Sequence, residues 1–186
     1  MTTDFAGPAV PAADGAPALS LRPWAADDAE ALALAHQDPG MKRWLATGID
    51  GVAEARQWIA AQAGGWADGT RYAFAVLAQE DGRLLGHVAV KRKAAGDASA
   101  EIGYWTVAAA RGRGIAPRAV RAVTGWALGG GHDPLLTRLE LLHAVDNTAS
   151  CRVAAKCGFA LHAELDPYPP QFPQPGHLHV RGPAAG

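Results

Sequence analysis

The chain has 186 residues, 49% of them apolar and 19% charged, with a formal net charge of −1. That length suits one domain with a substantial core, and the composition is that of a globular protein rather than a disordered or fibrous one. The charge balance removes any global electrostatic case for nucleic acid or an anionic membrane, and no apolar run reaches the roughly 18–20 residues that span a bilayer.

Residues 1–17 carry Asp4, Asp14, three prolines and no basic residue. They lack the charged and apolar regions of a signal peptide and are expected to form a disordered Ala/Pro/Gly tail, leaving 18–186 as the domain. Leu19 to Trp24 alternates and contains Pro23, the pattern of an edge strand. Asp27 and Asp28 open an Ala/Leu-rich helix that should end before Pro39-Gly40. A second helix spans about Val52 to Gln62, with Gly64-Gly65 expected to end or fray it.

Tyr72–Gln79 and Leu84–Lys91 form a hairpin around Asp81-Gly82, and Ala100–Val107 adds a third strand to the meander. The loop Arg111-Gly-Arg-Gly114 then leads into a helix from about Ala116 to Leu128, where Pro117 fits the first turn. Residues 129–134 break the chain. A strand over Thr137–Val145, a helix over Asn147–Lys156 and a strand over Phe159–Leu165 follow. A proline-rich loop, 167–175, precedes a last short strand near His177–Arg181. The order β-α-α-β-β-β-α-β-α-β-β predicts a single mixed α/β domain.

Cys151 and Cys157 lie six apart on one predicted helix, about 240° around its axis, so they cannot bridge each other, and their spacing fits no zinc pattern. Free thiols without an export signal point to a cytoplasmic protein.

Two strand–loop–helix junctions carry the chemistry. At the first, residues 111–116 place backbone amides and the positive end of a helix dipole at one spot, an anion site. No Gly-Lys-Ser/Thr follows, so it is not a P-loop, and no third glycine completes a dinucleotide fingerprint. A tight turn with two solvated arginines is the plainer reading of this loop alone. At the second junction Asn147 caps a helix that carries Ser150 one turn in, where its hydroxyl can donate to a developing anion. If the two strands are parallel neighbours, the junctions make one cleft for a long phosphorylated ligand.

With Glu101-Ile-Gly-Tyr-Trp105, Ala110-Arg-Gly-Arg-Gly-Ile-Ala116 and Val145-Asp-Asn-Thr-Ala-Ser150, followed by Val153, Lys156, Gly158 and Phe159, the chain resembles the GNAT superfamily of N-acetyltransferases and, within it, the RimJ/RimL-type group. The resemblance covers about residues 18–166. It implies a mostly antiparallel central sheet with splayed parallel fourth and fifth strands, about four flanking helices, and acetyl-CoA as cofactor. Residues Arg111, Gly112, Arg113, Gly114, Ile115 and Ala116 would wrap the pyrophosphate, with charge from Arg111, Arg113 or Arg118. Backbone groups of Thr106 and Val107 would pair with the pantetheine arm, and an N–H near Val107 would polarise the thioester carbonyl. Asn147 would contact the pantetheine side, and Ser150 would protonate the departing thiolate. The chain departs from the group's pattern at Ala108-Ala109, where Pro-Glu is common, and in the proline-rich C-terminal hairpin that helps line the acceptor pocket.

The implied reaction is direct attack of a primary amine, on a peptide N-terminus or a small molecule, in a ternary complex. Glu101 is the first candidate base, because Glu101, Gly103, Trp105 and Val107 share a strand face; a rim glutamate is the plainer reading. Glu140, Glu164 and His143 are weaker candidates. His177 and His179 share a face, but no third ligand stands at metal spacing, so no metal is expected. Lys42-Arg43 reads as a solvated face. The expected protein is a monomer or homodimer that binds neither nucleic acid nor membrane. A non-catalytic acyl-CoA-binding or sensor module of the same fold is the alternative.

Overall fold

The computed structural model describes residues 7–13, 15–45, 48–129, 134–170 and 172–183. Parts of the expected tail (1–6 and 14) and of the expected break (130–133) lie outside the described residues.

The strands are β1 (Leu19–Pro23), β2 (Arg71–Ala78), β3 (Leu84–Lys91), β4 (Ser99–Thr106), β5 (Arg138–Ala144), β6 (Ala160–Leu165) and β7 (Gly176–Arg181). The helices are α1 (Ala29–Ala35), α2 (Pro39–Lys42), α3 (Val52–Asp68), α4 (Ile115–Leu128) and α5 (Thr148–Lys156). One seven-stranded sheet runs β1-β2-β3-β4-β5-β7-β6. Every neighbouring pair is antiparallel except β4 and β5, which are parallel. The last strand is therefore not an edge: β7 inserts between β5 and β6.

Alternation along the strands divides the core into two layers. Leu21, Phe74, Val76, Val88, Ile102 and Leu139 pack beneath Val120 and Val123 of α4. On the other face Ala73, Ala75, Leu77 and Ala89 pack beneath Leu32 of α1 and Ile59 of α3. The small residues on that second face let the two helices approach closely, with aromatic rings filling the corners.

The first helical segment is more broken than its composition predicts. A 3-10 turn at Ala26–Asp28 precedes α1, and the Asp28 carboxylate accepts from the Ala25 amide at 2.8 Å while taking Arg22 in a bidentate pair at 2.7 and 2.8 Å. After α1, Asp38 starts the short α2, its carboxylate accepting from the amides of Gly40 and Met41 at 3.2 and 3.1 Å. Helix α3 corrects the sequence reading, since it runs through Gly64-Gly65 to Asp68. A Cβ at Gly65 would lie 2.6 Å from that of Arg71, so the glycine is there for close approach to β2. Beyond it the Trp66 indole donates to the Ala73 carbonyl at 3.1 Å and meets Tyr72, Phe74 and Trp126 edge-on or tilted. Those contacts outweigh the roughly 1 kcal/mol that each glycine costs a helix.

Among the described residues, no helix is long and apolar enough to cross a membrane. Both cysteines are free thiols. The N-terminal residues that are described make specific contacts: Val10 pairs with Leu19, and Arg118 of α4 donates to the carbonyl of Pro17 at 2.9 Å and to that of Pro11.

Candidate active site

Strands β4 and β5 pair over three positions only, Ser99 with Arg138, Ala100 with Leu139 and Glu101 with Glu140. Beyond Glu101 they part. In the antiparallel β3–β4 ladder the backbone groups alternate between the partner and the open side. The Val107 amide bonds the Leu85 carbonyl at 3.0 Å and the Val107 carbonyl accepts from Ala110 at 2.9 Å. Val107 is thus occupied on both sides, which corrects the expectation that it pairs with a ligand or polarises a carbonyl. By the same alternation the groups aimed into the opening are those of Ile102, Tyr104 and Thr106.

One wall of the opening leads to the start of α4. Gly112 and Gly114 have φ of 74° and 72°, a region costly for any residue with a Cβ. A Cβ at either would meet nothing within 4 Å, so the turn faces open space. Ile115 is buried and pins the helix start, while Ala116 is half-buried. First-turn amides have no intrahelical partner, so this end of α4 offers donors and dipole to the groove outside it. That groove, of about 510 Å³, is lined by Gly112, Arg113, Gly114, Arg118, Arg121 and Lys156, with Ala13, Gly15 and Ala16 of the N-terminal segment along its outer side.

The arginines are not equivalent. Arg111 is ion-paired with Asp38, and that partner holds the Asp38 carboxyl below the usual carboxylate range. Its charge is cancelled locally. Arg118 and Arg121 instead donate to carbonyls, Arg121 to that of Lys156 at 2.8 Å. Neutral acceptors fix a guanidinium without neutralising it, so these two keep their charge for an anion. Arg121 is absent from the sequence-based set; its place one turn after Arg118 on α4 is the signal that could have found it.

The opposite wall is the start of α5. Asn147 caps it, its side-chain oxygen accepting from the Ser150 amide at 3.1 Å. The Tyr104 hydroxyl, reaching across from β4, lies 2.9 Å from the Ser150 oxygen. Burial pushes the Tyr104 phenol up to about 12, against a smaller lowering by Ser150, so it is protonated at any physiological pH and donates to Ser150. Ser150's own hydrogen is left to point elsewhere. Tyr104 is the principal residue that sequence reasoning misses. It stands one residue from Gly103 on the opposite face of β4 from Glu101, and alternation alone aims it at the side where α5 lies.

Glu101 occupies the apex of the opening, on the face of Gly103 and Trp105; a Cβ at Gly103 would come within 3.8 Å of its carboxylate. That carboxylate is ion-paired with Lys91. Glu101 and Ser150 therefore flank the opening from opposite faces of the sheet. Glu140 is bonded by Arg138 at 2.8 Å, and Glu164 lies out on the edge strand β6.

On the Glu101 face, Trp24, Trp58, His87, Trp105 and His36 form a continuous ring cluster. The Trp24 indole donates to His87 Nδ1 at 3.0 Å, and burial, then the Arg71 charge, drives the His87 pKa down to about 3. His36 is lowered too, first by burial and then by Lys42. Both rings are neutral at pH 7. Lys42 and Arg43 are both exposed, and Arg43 also bonds Asp146 at 3.0 Å and stacks on Trp44. The Arg43–Asp146 and Asp38–Arg111 pairs tether the α2 corner to both walls of the opening.

The site is thus a parallel pair of strands that part after three residues, with a helix N-terminus on each wall. Residues 18–160 match the acetyltransferase (GNAT) domain. The chain belongs to the GNAT acetyltransferase family. Among solved structures, it superposes on a Vibrio cholerae protein provisionally assigned as a ribosomal-protein-serine acetyltransferase, with 25% identity, a TM-score of 0.75 and coverage of 98% of this chain and 100% of that one. RimL, a ribosomal-protein α-N-acetyltransferase solved with coenzyme A, has 20% identity, a TM-score of 0.80 and coverage of 96% and 99%. Mycobacterium smegmatis RimJ, solved with CoA-disulfide, has 24% identity, a TM-score of 0.79 and coverage of 95% and 86%. Among curated proteins none matches the chain. The family match ends at 160, before the strand that carries His177 and His179.

Proposed function

We propose that the chain is an acetyl-CoA-dependent N-acetyltransferase of the RimJ/RimL type, acting in the cytoplasm on a primary amine. The observation that carries the reading is the opening between β4 and β5, with a basic groove at the start of α4, the helix that follows β4 in the chain. Two features support the cofactor: left-handed glycines leave room for backbone approach, and Arg118 and Arg121, bonded only to carbonyls, keep their charge. The amides of residues 112–116, with Arg113, Arg118 and Arg121, would hold its phosphates. The Thr106 backbone and Asn147 would line the pantetheine arm. Acetyl-CoA bound there would supply a thioester carbonyl for attack by the amine, with loss of the CoA thiol.

Ser150 is the group assigned to the departing sulfur. Tyr104 donates to its oxygen, so the Ser150 hydrogen is the one offered to the thiolate. Glu101 would receive the proton lost by the amine, and to do so it must exchange Lys91 for that nitrogen. This bears on the acceptor. An α-amine with pKa about 8 is roughly a tenth neutral at pH 7, whereas a lysine is only ~0.04% neutral and faces a barrier about 4–5 kcal/mol above that of a fully neutral amine. A carboxylate already bound by a cation suits the first better than the second. The acceptor class proposed is therefore an α-amine, on a peptide N-terminus or a small molecule.

The test is thermal stability with acetyl-CoA, then thiol release over a panel of amines and N-terminal peptides. Saturating acetyl-CoA should raise the melting temperature; no rise would overturn the reading. Stabilisation without thiol release from any amine would favour the non-catalytic sensor instead.

A further inference from the structure

Linear spacing offers no third ligand for His177 and His179. The fold supplies two. In the β5–β7 register His143 lies opposite His177 and Leu141 opposite His179, so all three rings fall on one face of the sheet, beneath α5, which brings Cys151. One ligating atom of each of His143, Cys151, His177 and His179 lies within 4.8 Å of every other. Spacing rules miss the set because its members come from three elements, separated by 8 and by 26 residues at the gaps that matter.

We propose that these four side chains form a tetrahedral zinc site. Zinc takes nitrogen at about 2.0–2.1 Å and thiolate at about 2.3 Å, so tetrahedral edges are about 3.3 Å between nitrogens and about 3.6 Å from nitrogen to sulfur. His143 Nε2 and His179 Nε2 stand 3.2 Å apart, and Cys151 Sγ and His177 Nδ1 stand 3.4 Å apart. Two opposite edges of the tetrahedron are thus already at metal-binding length, and the remaining edges need to close by no more than about 1.5 Å.

The His143 tautomer agrees. His143 Nδ1 is 2.8 Å from the Ala144 carbonyl, which puts the ring's hydrogen there and leaves Nε2 a bare lone pair facing His179. An outward N–H fixed by a backbone carbonyl is the usual support of a zinc-bound histidine. Binding takes one proton from the Cys151 thiol and leaves each histidine neutral with its hydrogen on the nitrogen away from the metal. The donor set, three imidazoles and one thiolate, selects zinc over magnesium or calcium. Four protein ligands leave no open position, so the metal is structural rather than catalytic. It would pin α5, the helix that presents Ser150 and Asn147, to the C-terminal strand β7.

The test is metal content and cobalt spectroscopy on the full chain, purified without a polyhistidine tag or chelator. The expected result is about one zinc per chain, a fall in melting temperature on chelation, and recovery on adding Zn²⁺. Chelator-treated protein titrated with Co²⁺ should show the intense visible bands of tetrahedral cobalt and a near-ultraviolet thiolate-to-cobalt band that Cys151→Ser abolishes. His179→Ala should reduce zinc content at least tenfold. Less than a tenth of an equivalent of zinc in the wild-type protein, with neither cobalt bands nor a shift by micromolar Zn²⁺, would overturn the proposal. The cobalt titration needs only the wild-type chain, so it decides the question even where a variant fails to fold. None of these readouts involves acetyl-CoA, and their failure leaves the proposed activity untouched.

Discussion

His87 sets a measurable acid limit on the fold. Its ring is buried, accepts the Trp24 indole at 3.0 Å, and has a pKa near 3 against 6.5 for an exposed histidine. The unfolded chain binds a proton at this residue below pH 6.5 and the folded chain does not until about pH 3. Stability from this group is therefore complete above pH 6.5 and lost progressively as pH falls toward 3. At 1.36 kcal/mol per pH unit the loss is about 2 kcal/mol at pH 5, with a ceiling near 5 kcal/mol, a large fraction of a typical folding free energy. His87→Gln keeps an acceptor for Trp24 and removes the titration. Denaturant unfolding of both proteins at pH 8, 7, 6 and 5 should show the wild type losing about 2 kcal/mol more than the variant between pH 8 and pH 5. His36, His143 and His179 are lowered as well, but they are common to both proteins and cancel in the difference. Parallel stability curves would refute the reasoning.

Tyr104→Phe should lower turnover about tenfold and leave acetyl-CoA affinity within about twofold, while Ser150→Ala lowers turnover about a hundredfold; steady-state kinetics should find the double variant no worse than Ser150→Ala, and additive losses would separate the two hydroxyls. Gly114→Val should cost at least about 1–2 kcal/mol by forcing a branched residue into the left-handed region and should abolish the thermal shift with acetyl-CoA, so a retained shift moves the anion site elsewhere. Gly65→Ala should destabilise by about 1–3 kcal/mol through the clash with Arg71, although alanine is the better helix former; chemical denaturation that shows stabilisation would contradict the packing described for α3.

Much of the architecture was legible because local chemistry and global packing agree. Asp81-Gly82 marks the hairpin, Gly112 and Gly114 mark the turn into α4, and Asn147 marks the start of α5. Disagreement arose where a tertiary partner decided the outcome. Gly64-Gly65 reads as a helix end until Trp66 is seen anchored to Ala73. The same holds in the site. The loop and the capped helix were visible as motifs, but Val107 differs from Thr106 only through the phase of the β3–β4 ladder, which sequence does not disclose. Tyr104 and Ser150 are 46 residues apart, and no spacing rule joins them. The histidine–cysteine cluster was hidden for the related reason that β7 inserts beside β5 instead of ending the sheet at its edge.

The family match begins at residue 18, and a protein trimmed to that boundary would carry every strand and helix of the fold. It would not carry the whole groove. Residues 13, 15 and 16 border the basic groove, and the carbonyls of Pro11 and Pro17 are what hold Arg118 in place without masking its charge. The groove proposed to hold an anion thus begins before the family match does. A segment with the composition of a linker is, in this chain, the outer wall of the groove proposed to hold the cofactor's phosphates.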